Sequence, residues 1–445
     1  MIIYFLTSFM SRNFRTFLFI FFVSVFVIVT PSLVLYAQGY RINWPLEPGK
    51  KLVVKTGGFF VKTTPKQADV YINGKLREQT DFFFGSALLE NFLPRQYQVE
   101  IKKTGYQTWG KNLEIKEKEV TEIRNVTLFP EHLAIAAVEK NVFDALISPD
   151  GKKIALREQD DNGWNLKLYD TAKGVISKLA GERDFSAKGA QLSHWSWKSD
   201  SKNINIDTTA NGVGTGYAIS IEKNPARISK SAAVSSTSTE ETTAKEINGN
   251  KYYLNQDGFI YKKDPSGNAV RIGGAQITVA PDAKYRLWVF GDYYFIAKNS
   301  ELYVLKPGTE SLEKIFDNLS SDMKLSPDGK KAVYASESEI WVFFLKDKTD
   351  QPTTIGGNGI FITRLSEKIS NCDWYNSDYI IFTAGGMIKT AEIDNRDKIN
   401  IASLANFSGL DSAADAQKTQ LIWDGEQKSA YLFFGNTLYK SQPIQ

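Results

Sequence analysis

Residues 148–156 read Ser148-Pro149-Asp150-Gly151-Lys152-Lys153-Ile154-Ala155-Leu156. The phrase returns as Ser326-Pro327-Asp328-Gly329-Lys330-Lys331-Ala332-Val333-Tyr334. Proline presets φ, aspartate caps the turn through its side chain, and glycine takes φ > 0, so each copy predicts a tight turn. The apolar alternation after it predicts a strand. Weaker copies begin at Trp197, Ala280, Trp374 and Trp423. The turns fall near positions 149, 198, 281, 327, 376 and 424; most gaps are 46 to 49 residues and one is 83. The long gap leaves room for a degenerate unit around residues 251–261. Second strands follow the turns, as at residues 165–170 and 339–345. A period of ~40–50 residues with four strands per unit is the pattern of a β-propeller. Residues 131–445 are therefore expected to form about seven blades, with six as the fallback. The last unit offers about three strands, at residues 419–423, 430–434 and 437–440. The spare strand at residues 132–138 is expected to pair with it and close the ring, leaving no open edge.

The N-terminal end is unlike the rest. Residues 16–37 (TFLFIFFVSVFVIVTPSLVLYA) carry no charge over 22 positions. At about 1.5 Å rise per residue this length crosses a hydrocarbon core of roughly 30 Å. Residues 1–15 are expected to be cytoplasmic, because Arg12 and Arg15 flank the segment and positive charge stays inside. The body after Gln38 is then extracytoplasmic, with Tyr36, Tyr40 and Trp44 as interfacial anchors. A cleaved signal peptide ending at Ala37 is the alternative. It would place Leu35 where a small residue is preferred. Translation starting at Met10 is a further expectation.

Residues 38–56, with Pro45, Pro48 and Gly49, read as a linker. From residue 57 to 130 short alternating runs follow one another, broken by the hairpin signal Asn73-Gly74 and by Pro94. About six strands predict a small antiparallel β-sandwich. The chain as a whole is thus expected to be all-β, apart from one transmembrane helix.

Thr64-Pro65, Ala68-Asp69-Val70-Tyr71-Ile72-Asn73-Gly74-Lys75, Leu93-Pro94, Tyr97 and Lys103-Thr104-Gly105-Tyr106 resemble the PEGA domains. Gln67 stands where that family usually has glycine, and Pro94-Arg95-Gln96 where it usually has Pro-Gly. The resemblance implies a surface or envelope module without catalysis; a plain spacer is the competing reading. The Ser-Pro-Asp-Gly-Lys-Lys repeats resemble those of TolB-like propellers and of the propeller domains in prolyl oligopeptidase relatives. That likeness implies a fold and little about a task.

Candidate chemistry is sparse. The charge balance of 54 basic and 50 acidic residues gives no pull toward nucleic acid. A lone cysteine, Cys372, allows no intrachain disulfide and reads as a small core residue. His132 and His194 lack an evident partner, and packing of His194 against Trp195 and Trp197 is the simpler expectation. No Gly-x-Ser-x-Gly elbow occurs. The glycine-rich run from Asn211 to Tyr217 has no helix after it to present a dipole to phosphate, so a hairpin is expected. Asp160-Asp161-Asn162-Gly163 lacks the spaced ligands of a calcium loop and reads as a turn. Trp195, Trp197, Trp288, Trp341, Trp374 and Trp423 recur at matching blade positions. They are expected in the packing between blades; a sugar platform would need several of them exposed. Residues 229–245 are rich in serine and threonine and read as a disordered loop.

These residues predict no catalytic, cofactor or metal site, and no enzyme. The expected function is a membrane-anchored binding protein of the cell envelope, with an envelope protein or cell-wall polysaccharide as partner and no nucleic acid. A scaffold subunit of an envelope complex is one alternative. A hydrolase or lyase with its site in the propeller channel is the other, and charged side chains converging on one channel end would favour it.

Overall fold

The computed structural model describes residues 11–44, 51–160, 163–185, 189–223, 225–231, 241–408 and 419–444. The chain divides into two units, residues 1–128 and 129–445.

In the first unit, helix α1 spans Arg12–Ala37. Ser11 caps it, its Oγ accepting the Phe14 N–H at 3.3 Å. The helix begins four residues before the expected apolar run, so Arg12 and Arg15 lie in its first turns. Among the described residues it is the one helix long and apolar enough to cross a membrane, and none of its side chains is buried by protein.

The expected linker is instead partly ordered as a two-stranded ribbon. Strand β1 (Tyr40–Ile42) pairs antiparallel with β2 (Val53–Lys55). Seven strands then form the sandwich: β3 (Gly57–Thr64), β4 (Asp69–Ile72), β5 (Lys75–Gln79), β6 (Ser86–Phe92), β7 (Gln96–Lys102), β8 (Trp109–Glu114) and β9 (Val120–Thr127). The sheets have orders β6-β3-β9 and β5-β4-β7-β8. The expectation of a purely antiparallel sandwich fails at one pair, since β3 and β9 run parallel. The two strands are far apart in sequence, so no tight turn fixes their relative direction. Alternation puts Phe59, Val61, Val70, Ile72, Val99, Ile101 and Ile123 into one core. The Asn73-Gly74 turn has φ of 50° and 73°, the left-handed pair that a two-residue hairpin needs. Gln67, where the resembled family carries glycine, also sits at a left-handed φ of 56°.

One loop of the sandwich is unusually well held. The Asp81 carboxylate accepts the N–H groups of Phe83, Phe84 and Ser86 at 2.8, 2.6 and 2.8 Å, and the Ser86 hydroxyl at 2.7 Å. The Phe84 and Ser86 bonds hold its pKa down at about 2. The clamp presents Phe82, Phe83 and Phe84 exposed to solvent.

The second unit contains seven four-stranded antiparallel sheets among the described residues. Six blades span residues 142–181, 191–231, 241–272, 285–316, 324–364 and 369–406. The degenerate unit at residues 251–261 is the heart of blade 3. In blade 7 the strands Gln420–Asp424, Ser429–Phe434 and Thr437–Ser441 are completed by β10 (Ile135–Lys140), which pairs with Thr437–Ser441. The ring therefore closes by the predicted exchange, with the closing strand two to three residues later than expected. Residues 229–231 and 241–245, expected in a disordered loop, belong to strands Arg227–Ser231 and Glu241–Ile247; positions 232–240 lie outside the described residues.

Apolar clusters fill the seams between blades. They join blades 7 and 1, 1 and 2, 3 and 4, 4 and 5, 5 and 6, and 6 and 7. Among the described residues no such cluster joins blades 2 and 3.

The two sharp repeats share one hydrogen-bonded turn. The hydroxyl of Ser148 donates to Asp150 Oδ1 at 2.6 Å and accepts the Lys153 N–H at 2.9 Å. Ser326 does the same with Asp328 (2.6 Å) and Lys331 (3.0 Å). Gly151 and Gly329 take φ of 73° and 67°.

Candidate binding site in the ring channel

Antiparallel connectivity sorts the loops of each blade. Turns joining the first strand to the second, including both Ser-Pro-Asp-Gly turns, lie on one face of the ring. Hairpins joining the second strand to the third, and links to the next blade, lie on the other. A cavity of about 440 Å³ opens among this second set. Its walls come from the innermost strands of blades 5, 6, 7 and 1: Lys324, residues 369–373, residues 420–423 and Ile147. Its rim carries Ser320, Ser321 and Asp322 from the link between blades 4 and 5, Glu337 from a hairpin, and Lys368 from the link between blades 5 and 6.

The charges are arranged in pairs. Lys368 is ion-paired with Glu337, and Asp322 accepts from Arg286 at 3.1 Å. Asp373 is the deep one. Burial raises its carboxyl above the ordinary range, opposed by the positive charge of Lys324 and by the Trp374 N–H, which donates to Oδ1 at 2.7 Å. Two register breaks in its strand, between Ser370 and Asp373 and between Trp374 and Asn376, re-aim these side chains. Asn371 sits at a left-handed φ of 53° and donates from Nδ2 to the Thr419 carbonyl at 2.9 Å, tying blade 6 to the segment entering blade 7.

The residues singled out in the sequence lie elsewhere or do structural work. His194 is exposed at a register break on the inner strand of blade 2, and His132 is exposed just before β10. Expected packing of His194 against its tryptophans is thus corrected: the break turns the ring outward. Asn211-Gly212 forms the turn of a hairpin, with φ of 51° and 77°. Gly163 pairs with Asp160, and Asp161 and Asn162, expected in a turn, lie outside the described residues. Among the described residues no group of three or more His, Cys, Asp or Glu is placed to hold a metal ion. Cys372 is buried against the seam between blades 5 and 6, and burial pushes its thiol pKa up.

None of the six repeated tryptophans is exposed. Several reach back to the inner strand of the preceding blade: Trp197 Nε1 donates to the Leu146 carbonyl at 3.0 Å, and Trp423 Nε1 to that of Tyr375 at 2.9 Å. Trp195 Nε1 donates to the Asp144 carboxylate at 3.0 Å. An exposed sugar platform built from these rings is absent.

Of the residues singled out in the sequence, Cys372 and Trp423 line the cavity; its charged residues carry no motif. Asp373 carries the one available signal, a charge set between Cys372 and Trp374, which are buried, on the inner strand.

No family model matches the chain, and no curated protein matches it. Solved structures with a similar backbone include YCF48 from Cyanidioschyzon merolae, at 12% identity over 70% of this chain and 99% of that one, with a TM-score of 0.40. A chain of the Mitotic Checkpoint Complex matches at 10% identity over 71% and 92%, with a TM-score of 0.43. The RRP9 WD40 repeats match at 10% identity over 70% and 97%, with a TM-score of 0.40. Likeness this low carries no weight for family or function, and the seven blades rest on the chain's own sheets.

Proposed function

We propose that the protein is a non-catalytic, membrane-anchored binding platform that takes a polar segment of an extracytoplasmic protein partner into the channel cavity. One observation carries this reading: four blades converge on a polar cavity of about 440 Å³ that opens among the inter-blade loops. Its charged rim groups are already paired, Lys368 with Glu337 and Asp322 with Arg286 outside the cavity, which suits recognition of a hydrogen-bonding segment better than covalent chemistry. The six repeated tryptophans, none of them exposed, weigh against a glycan platform. The apolar helix α1, with Arg12 and Arg15 at its start, supports anchoring with the body outside the cytoplasm. The PEGA-like residues fit an envelope setting.

The test is site-specific photo-crosslinking of the full-length protein in its membrane. A crosslinker replacing Gln420, on the cavity wall, is expected to trap one protein. One replacing Lys330, on the opposite face, is expected not to. Equal capture from both positions, or recovery of wall sugars alone, overturns the reading.

A second reading has one observation in its favour. Asp373, with its raised carboxyl pKa, faces the same cavity as Lys324, and a buried acid beside a cation is the raw material of hydrolysis or elimination. Asp373→Asn separates the two: retained crosslinking argues for binding, while loss of an activity on wall polymers argues for catalysis.

A further inference from the structure

The ribbon that follows α1 is built inside out for a protein surface in water. Pairing in register places Tyr40 and Ile42 on one face with Val53 and Lys55, because Tyr40 faces Lys55 and Ile42 faces Val53; Trp44 follows just beyond the strand. Arg41 and Val54 occupy the opposite face. A ribbon lying on a soluble domain would turn its apolar face in and its charge out. Here Val54 is buried while Ile42, Trp44 and Val53 are 67%, 74% and 47% exposed, and half-buried Arg41 turns its guanidinium onto Tyr36 and Asn91.

Arg41 explains the inversion. It donates from Nη1 to the Tyr36 carbonyl at 2.7 Å, stacks over the Tyr36 ring at 3.4 Å, and donates from Nη2 to Asn91 Oδ1 at 3.0 Å. One side chain thus ties the last turn of α1, the ribbon and the end of β6 together. Glu117, in the turn before β9, adds a second tie by accepting the Lys55 N–H at 2.8 Å. The ribbon is fixed against the end of the apolar helix with its aromatic and aliphatic face outward.

We infer that this outward face is a second membrane contact: Ile42, Trp44 and Val53 lie in the interfacial layer of the bilayer that α1 crosses. The inference rests on α1 being membrane-embedded. The occupant is lipid because the exposed face continues directly from the apolar helix, and because Tyr40, Trp44 and Lys55 are the residue types that settle at headgroup depth. A lone helix leaves the body free to tilt and rotate about the membrane normal. A second contact fixed to the sandwich by Arg41 removes that freedom and sets the height and bearing of the first unit.

The test uses the full-length protein in vesicles of phosphatidylcholine and phosphatidylglycerol, with nitroxide labels on single introduced cysteines. Cys372 is buried, so the introduced thiols label selectively. Ile42→Cys, Trp44→Cys and Val53→Cys report the ribbon, Phe22→Cys the helix, and Lys75→Cys the exposed strand β5. The readout is relaxation by oxygen, which concentrates in lipid, against relaxation by a water-soluble nickel chelate. The expected result is an oxygen-to-nickel ratio at the three ribbon sites several-fold above that at position 75. A ribbon ratio equal to that at 75, with position 22 lipid-exposed, overturns the ribbon contact and leaves the anchor standing. Ribbon sites shielded from both relaxants overturn it in favour of a protein partner or second copy. A water-like ratio at position 22 overturns the membrane reading itself.

Discussion

The indole Nε1 of Trp374 donates a 2.8 Å hydrogen bond to the backbone carbonyl of Lys324, on the inner strand of the preceding blade. Trp197 and Trp423 repeat this reach, so the rings pack the seams and also satisfy inner-strand carbonyls that the sheets leave open. Trp374→Phe keeps most of the apolar volume and orphans the carbonyl. The expected cost is about 1–3 kcal/mol, read from the denaturant midpoint. Trp341, whose Nε1 bonds Glu339 on its own strand, provides the contrast. Trp341→Phe is expected to cost less, and equal losses would refute the inter-blade role.

The repeated turns make stability depend on pH. At Asp328, burial pushes the carboxyl pKa up, but bonds from Lys331, Ser326 and the Lys330 N–H outweigh it and the net pKa falls below the ordinary 3.8. Asp150 follows the same pattern with Ser148 and Lys152. A carboxylate depressed on folding stabilises the fold above its unfolded value and loses that contribution as pH falls through the folded value. The second unit is expected to lose stability below pH ~4, and Asp328→Asn is expected to flatten that decline. Thermal melts across the acid range check both.

Ring closure is testable at adjacent alanines. The Gln442 N–H bonds the Ala134 carbonyl at 3.0 Å, which sets the phase of the ladder and directs the Ala136 N–H to Lys440. The Ala137 N–H points to the open edge. Ala136→Pro is expected to cost about 1–3 kcal/mol through a lost ladder bond, and Ala137→Pro distinctly less. Equal melting temperatures for the two variants would contradict the closure geometry.

The Asp81 clamp predicts proteolysis. With its pKa held down at about 2, the carboxylate stays ionised through mild acid, so the loop is expected to keep its order at pH 4. Asp81→Ala releases four hydrogen bonds and is expected to make Phe82–Phe84 a fast chymotrypsin site in an otherwise folded protein. Unchanged cleavage would show that Gly85 and the Lys66 bond to the Phe83 carbonyl suffice.

Blades 2 and 3 lack a shared apolar cluster among the described residues, so their seam has the least burial to lose on opening. Hydrogen exchange is expected to be fastest, within the ring, in residues 203–220 and 250–263. The strands of blades 5 and 6, buried in continuous clusters, are expected to exchange slowest.

Much was legible because it is local. The uncharged run at residues 16–37, the Asn73-Gly74 hairpin and the Ser-Pro-Asp-Gly turns each follow from sterics and periodicity within a few consecutive residues. Even the degenerate third blade showed itself as a gap in the spacing. The ribbon of Tyr40–Ile42 and Val53–Lys55 is not legible in the sequence because three-residue strands give too little alternation to read. The parallel β3–β9 pair is not legible in the sequence because no turn links its strands. Asp322, Lys324, Glu337 and Lys368 carry no motif, and each alone reads as a solvated charge.

The sequence by itself determined a helix, a chain of short strands and a repeat of nearly fifty residues. Those follow from what each residue permits its own backbone and its near neighbours. Only the tertiary structure decided which strand completes blade 7, which way the ribbon turns its apolar face, and that Lys324, Asp373 and Gln420 share one cavity. Residues about one blade apart in sequence meet only once the ring has closed, so their shared environment is a property of the assembled sheets.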